Sequence, residues 1–136
     1  MTDLLYYLSG VVPFLIYFGT SIVMLLVFMW LYMRMTPVDE VTQIRENNVA
    51  ASLVFSAAFV GFALPLASAT ANSVSFIDFL LWGAIAGIAQ LLVYQIFRRF
   101  YPLVAERISR GEMAVSTKLA GLSITVGLLN AACMTY

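Results

Sequence analysis

Residues 4–33 read LLYYLSGVVPFLIYFGTSIVMLLVFMWLYM, thirty consecutive positions without an Asp, Glu, Lys or Arg. A helix rises about 1.5 Å per residue and needs roughly 20 apolar residues to cross a bilayer core, so this run is long enough to span with residues to spare. Three more uncharged runs follow, at 47–77, 79–97 and 119–136. Hydrophobic residues make up 62% of the 136-residue chain and charged residues only 10%. Fourteen charges cannot cover the surface of a water-soluble domain of this size without leaving large apolar patches, so lipid is the expected solvent. The reading is an all-α integral membrane protein with four transmembrane helices.

The first span is placed at about 11–33, entered by a surface turn at 4–9, with Pro13 near its start where a missing N–H costs least. The second runs over about 49–69, with Asn47 and Asn48 as capping candidates and Pro65 expected to kink or loosen its last turns. After a turn at 70–75, Ser75 and Asp78 form a capping-box pattern for a third span over about 76–97. The fourth is placed at about 113–135. The chain then divides into two helical hairpins, 1–70 and 71–136, within one membrane domain.

All seven basic residues fall in or beside the first and third connections: Arg34 and Arg45, then Arg98, Arg99, Arg107, Arg110 and Lys118. The positive-inside rule makes these loops cytoplasmic and puts both termini outside, which in a bacterial plasma membrane means the periplasm. With no basic n-region and no A-x-A site, the first run reads as a retained span rather than a signal peptide. Trp30, Tyr32, Tyr94 and Tyr101 then form an inner aromatic belt, and Tyr6, Tyr7, Phe76, Trp82 and Tyr136 an outer one.

Shifted by 64 positions, the chain pairs Gly19 with Gly83, Arg34 with Arg98, Ile44 with Ile108, Ala50 with Ala114, Ser52 with Ser116, Leu64 with Leu128 and Ala67 with Ala131. Each half is a span, a charged loop beginning near a proline (Pro37, Pro102), and a span rich in small residues. Two spans return the chain to its starting side, so the halves read as parallel repeats about an axis along the membrane normal.

Composition excludes much. Net charge is zero, so there is no basic surface for nucleic acid. There is no histidine, which removes the usual general base and most zinc, non-haem iron and bis-histidine haem sites, and no cofactor is expected. The one cysteine, Cys133, permits no internal disulfide and has no basic neighbour to activate it. Without a membrane-embedded carboxylate pair, a hydrolytic site cannot be assembled, and the chain is read as non-enzymatic.

Small residues at four-residue spacing mark helix-packing faces: Ser52 and Ser56, Ala57 and Gly61, Gly83 and Gly87, and Ser123, Gly127 and Ala131. They serve either the intramolecular bundle or a homo-oligomer face. The first span lacks such a stripe and carries Phe14, Phe18, Phe28 and Trp30, so it is expected to face lipid. Gln90 lies about 18 Å into the bilayer, near the midplane, where an amide needs partners. Ser56 or Ser123 could supply one; alternatively Ser52, Ser56, Gln90 and Asn130 line a pore. Lys118 is expected to snorkel to the cytoplasmic surface, and Asp78 to cap a helix. The five basic residues of the second loop are candidate contacts for anionic headgroups or a peripheral partner, and the two loops, opposite in sign, could pair with each other.

The runs Arg45-Glu-Asn-Asn-Val-Ala-Ala-Ser52, Leu64-Pro-Leu-Ala-Ser68 and Gly127-Leu-Leu-Asn-Ala-Ala-Cys-Met-Thr135 resemble the YjfL-like bacterial inner-membrane proteins, a family classed as a domain of unknown function. The resemblance covers nearly the whole chain and implies a plasma-membrane protein of repeated two-helix units. It supplies no catalytic or binding residues. Members of that family are often encoded beside phage-shock-protein-A-like and glutathionylspermidine-synthase-like proteins, which implies a role in membrane stress. Two functions follow as expectations: an oligomeric, non-enzymatic scaffold or sensor whose cytoplasmic loops engage a peripheral membrane-stress protein, and a small oligomeric channel or transporter.

Overall fold

The computed structural model describes residues 1–135, so Tyr136, expected in the outer aromatic belt, lies outside the described residues. Seven helices, and no strand, occur among the described residues: α1 (Thr2–Ser9), α2 (Val11–Met35), α3 (Glu40–Arg45), α4 (Val49–Asn72), α5 (Phe76–Phe100), α6 (Val104–Ser109) and α7 (Met113–Cys133). Four are long and apolar enough to cross a membrane, α1 and α2 counting as one. The expected surface turn at 4–9 is instead helix α1, joined to α2 through Gly10, which keeps right-handed helical geometry. The second span ends three residues beyond its expected limit, at Asn72, because Pro65 lies inside a helix that continues past it.

Local chemistry sets the helix ends. The Asn48 side chain accepts from the Ala51 N–H at 3.2 Å and caps α4. Ser75 accepts from the Asp78 N–H at 3.2 Å, while an Asp78 carboxylate oxygen accepts from the Val74 N–H at 3.1 Å, a variant of the expected capping box. The connections α3–α4 and α6–α7 close alike. Asn47 N–H donates to Ile44 O and Asn48 N–H to Gln43 O; 64 positions on, Gly111 donates to Ile108 O and Glu112 to Arg107 O. Both are the paired bonds of a Schellman turn, and each needs a left-handed residue, Asn47 (φ 64°) and Gly111 (φ 78°).

The most extensive packing is between α4 and α7, with α5 against both. At the α4–α7 crossing Gly61 and Gly127 bring the two backbones together: a Cβ built on Gly127 would stand 2.7 Å from Gly61 Cα. Pro65 has no N–H, so the Gly61 carbonyl, four residues earlier, lacks its helical donor and lies instead against Gly127. A Cα–H of Gly127 is then its nearest substitute, the weak contact that recurs where small residues let helices meet. Toward the end of the crossing away from the charged connections, Ser68 Oγ donates to Ala131 O at 2.8 Å.

Helix α2 is mostly uncovered, with Phe14, Phe18 and Trp30 all more than half exposed. Phe28 departs from the expectation of lipid exposure. It is buried and stacks on Phe62 with ring centroids 4.5 Å apart. It belongs to a face at helical spacing, Tyr17, Met24, Phe28 and Tyr32, that meets α4 and α5. Tyr32 and Tyr94 are likewise buried, edge to face at 6.2 Å, and so belong to the core rather than to an interfacial belt. An aromatic ring satisfies a core and a membrane interface equally well, and sequence alone does not separate the two.

Candidate functional site

The polar residues read as pore candidates do not converge. Gln90 is 1% exposed and its Nε2 donates to Ser123 O at 3.0 Å, a main-chain carbonyl rather than a serine hydroxyl. Its Oε1 is buried with no hydrogen-bond partner among the described residues. Ser52 is half-buried on α4, whereas Ser56 is exposed on the outer surface of that helix. Asn130 lies near the far end of α7, seven positions beyond Ser123, with its Nδ2 buried and without a hydrogen-bond partner among the described residues. The Gly61–Gly127 crossing and the Gln90 amide lie together where α4, α5 and α7 meet.

Apart from Ser52 and Ser56, the small-residue stripes turn inward. Gly61 abuts Gln90 and Ser123, Gly83 abuts Met24 and Leu66, and Gly87 abuts Phe62. Ser123 and Gly127 are buried on α7, and Ala131 accepts from Ser68. Toward the opposite end, a lipid-facing groove of about 550 Å³ separates α2 from α4 and is lined by Tyr17, Phe18, Leu66 and Ala67 among others.

The two charged connections meet at one end of the bundle. Asn48 joins the two connections: its Nδ2 lies 3.0 Å from Ile108 O, 3.1 Å from Ser109 O and 2.9 Å from Gln43 Oε1. The loops therefore meet through an amide, while the ion pairs stay within the second loop. Arg107 and Arg110 both reach Glu112, at 3.3 and 3.2 Å. Beside the Asn48 bridge a cleft of about 450 Å³ opens between the two Schellman turns, with Glu46 on one wall and Arg110 on the other.

Arg45, Arg98 and Arg99 are exposed at this end, the last two closing α5, where cations complement the helix dipole. Arg34 lies over the Trp30 ring, 4.9 Å from its centroid. Lys118 lies at the same distance over the Tyr101 ring and hydrogen-bonds the Tyr101 hydroxyl, so its ammonium is drawn back toward the charged end, as snorkelling requires.

One residue here gave no sequence signal. Glu40 is 5% exposed at the start of α3. Thr36 Oγ1 lies 2.5 Å from its Oε1. Burial pushes its carboxyl above the usual carboxylate range, and the charge of the adjacent Asp39 pushes the same way. No group of three or more metal-ligating side chains occurs among the described residues.

Residues 6–134 match the family model described as Domain of Unknown Function (DUF350). The chain is 37% identical over 129 residues to the UPF0719 inner membrane protein YjfL of Escherichia coli (strain K12), covering 95% of this chain and 98% of that protein. The YjfL protein of Escherichia coli O157:H7 matches equally. No solved structure matches. With a relative of the same length in the inner membrane and four apolar helices able to span it, this chain belongs to the DUF350 family of multi-pass inner-membrane proteins.

Proposed function

We propose that the protein is a non-enzymatic, homo-oligomeric membrane scaffold or sensor, built of two parallel-repeat hairpins, whose charged end docks a peripheral membrane-maintenance protein. The observation that carries this reading is the joined surface at that end: two loops closed by the same turn, tied by Asn48, flanking a polar cleft and displaying Arg45, Arg98 and Arg99. Seven basic residues at one end make it the cytoplasmic side by the positive-inside rule, with both termini periplasmic. Anionic headgroups would attract each exposed arginine by about 1 kcal/mol, which favours a partner that itself works at the membrane surface.

The repeat reading draws on the 64-residue offset that relates the start of α3 to that of α6, α4 to α7, and one Schellman turn to the other. The conduction reading keeps one point of support, Ser56 exposed on α4, which a second chain could cover. Gln90 is buried at the crossing with its Nε2 on Ser123 O, which gives that reading no further support.

The test is cross-linking in native membranes followed by mild-detergent purification and mass measurement, for the parent and for a variant with Arg45, Arg98 and Arg99 changed to Gln. The expected result is a stoichiometric cytoplasmic protein bound to the parent and lost from the variant. A defined homo-oligomer that brings no partner and passes ions after reconstitution would replace the scaffold with the channel.

A further inference from the structure

The sharpest unused feature is the junction between α2 and α3. Thr36 Oγ1 lies 3.0 Å from Tyr32 O and 2.5 Å from Glu40 Oε1. Both neighbours are acceptors when Glu40 is ionised, and a hydroxyl has one hydrogen to give. Glu40 is buried, and no cation lies within ion-pair distance of it among the described residues. A buried carboxylate without a counter-charge is expensive, and a proton removes both difficulties at once. The neutral carboxyl O–H donates to Thr36 Oγ1, whose own O–H donates to the Tyr32 carbonyl.

We propose that Glu40 is a proton-binding site whose bound proton completes a Glu40–Thr36–Tyr32 relay and so clips α3 to the end of α2. The raised affinity of this carboxyl for its proton, caused by burial, is in keeping with that arrangement. Besides Thr36, its own backbone N–H is a donor to the carboxylate, and these hydrogen bonds oppose the effect of burial without outweighing it. On its own element Asp39 is a second negative charge that adds to the cost of ionising Glu40, and its carboxylate is spent on Thr42. From α2 and α5 come the hydroxyls of Tyr32 and Tyr94, with Arg98 placed beside Tyr94; α4 contributes no titratable group. Glu106 and Arg98 border a cavity of about 240 Å³ together with Tyr94 and with Pro37, the chain neighbour of Thr36. The proposal does not depend on what docks at this end.

The sign follows from linkage. With α3 undocked, Glu40 is solvated and titrates at its ordinary value; docked, it holds its proton to higher pH. Between those two values the docked form carries the extra proton, so docking weakens as pH rises, by up to tenfold per pH unit, and is level beyond them. The experiment is hydrogen exchange of the Glu40–Arg45 amides in the full chain, reconstituted in phosphatidylcholine nanodiscs from pH 5 to 9 and corrected for intrinsic exchange.

The parent should lose protection with rising pH. The variant Glu40→Gln, whose amide donates to Thr36 at every pH, should stay protected within twofold. Thr36→Val, which removes the acceptor of the neutral carboxyl, should move the midpoint down. A parent profile independent of pH, or a Glu40→Gln profile that keeps the parent's slope, overturns the proposal. So does an upward midpoint in Thr36→Val, which would mean that Thr36 serves the ionised carboxylate. Protection that rises with sodium or potassium at fixed pH would put a metal cation where the proton is proposed.

Discussion

The Gly61–Gly127 crossing fixes the largest helix interface, and a single methyl group tests it. In Gly127→Ala the new Cβ would stand 2.7 Å from Gly61 Cα and 2.8 Å from its carbonyl carbon. Non-bonded carbons settle at about 3.5 to 4.0 Å, so α4 and α7 must part by roughly 1 Å, and both obstacles are backbone that cannot rotate away. Overpacking of this kind costs about 1–3 kcal/mol, and this site belongs at the upper end. Separation also strains the Gln90–Ser123 bond, a contact of a class worth about 0.6 kcal/mol. The intrinsic gain of alanine over glycine in a helix returns about 0.8 kcal/mol. The expected net loss is about 2 kcal/mol, on the order of 30-fold in the unfolding equilibrium.

Gly121 on the same helix is the control, because a Cβ there meets nothing within 4 Å. Gly121→Ala should be neutral or slightly stabilising. Reversible unfolding in mixed micelles, titrated with a denaturing detergent and followed by fluorescence of Trp30 and Trp82, reads the difference. If Gly127→Ala proves no less stable than Gly121→Ala, the close crossing does not exist in the membrane.

Other substitutions probe other parts of the bundle. Phe28→Ala should cost about 3 kcal/mol in the same assay, since it empties the site beneath Phe62; a loss near zero would return α2 to the lipid. Gln90→Leu removes one hydrogen bond but also an unpartnered buried Oε1, so its cost should stay within about 1 kcal/mol, whereas Gln90→Ala, which leaves a void, should cost about 2 or more. Asn48→Ala loses a helix cap and the bridge between loops together. It should destabilise by about 2 kcal/mol and widen the distance between spin labels on Val41 and Glu106, and an unchanged distance would count against the bridge.

The spans were legible because an unbroken apolar run longer than 20 residues has few other uses, and their ends because Asn48 and Ser75 are capping residues at capping positions. What escaped was the inward face of α2. A soluble helix shows its buried side by contrast with its polar one, but in lipid both sides are apolar and the periodicity carries no contrast. Tyr17, Met24, Phe28 and Tyr32 therefore looked no different from Phe14, Phe18 and Trp30. Glu40 escaped for a different reason. Whether a loop carboxylate is buried depends on where the loop folds back, and Thr36-Pro37-Val38-Asp39 does not announce that the chain returns under the bundle.

The two halves share a plan but use it differently. Gly19 and Gly83 are paired by the 64-residue shift, yet Gly19 has open space around it while Gly83 receives the end of Met24. Helix α2 thus presents bulky side chains and α5 offers the small residues that accept them, a division that two identical hairpins could not make. The turns diverge in the same sense. At equivalent positions stand Asn48, which reaches across to the second loop, and Glu112, which holds Arg107 and Arg110 within its own. Glu112 thereby pairs with two of the loop's five cations, while Arg98 and Arg99 form no ion pair among the described residues. An incoming acidic or anionic surface would meet those two and the exposed Arg45 without an acidic side chain already paired to them among the described residues, which is why these three rather than Arg107 and Arg110 are the informative ones to remove.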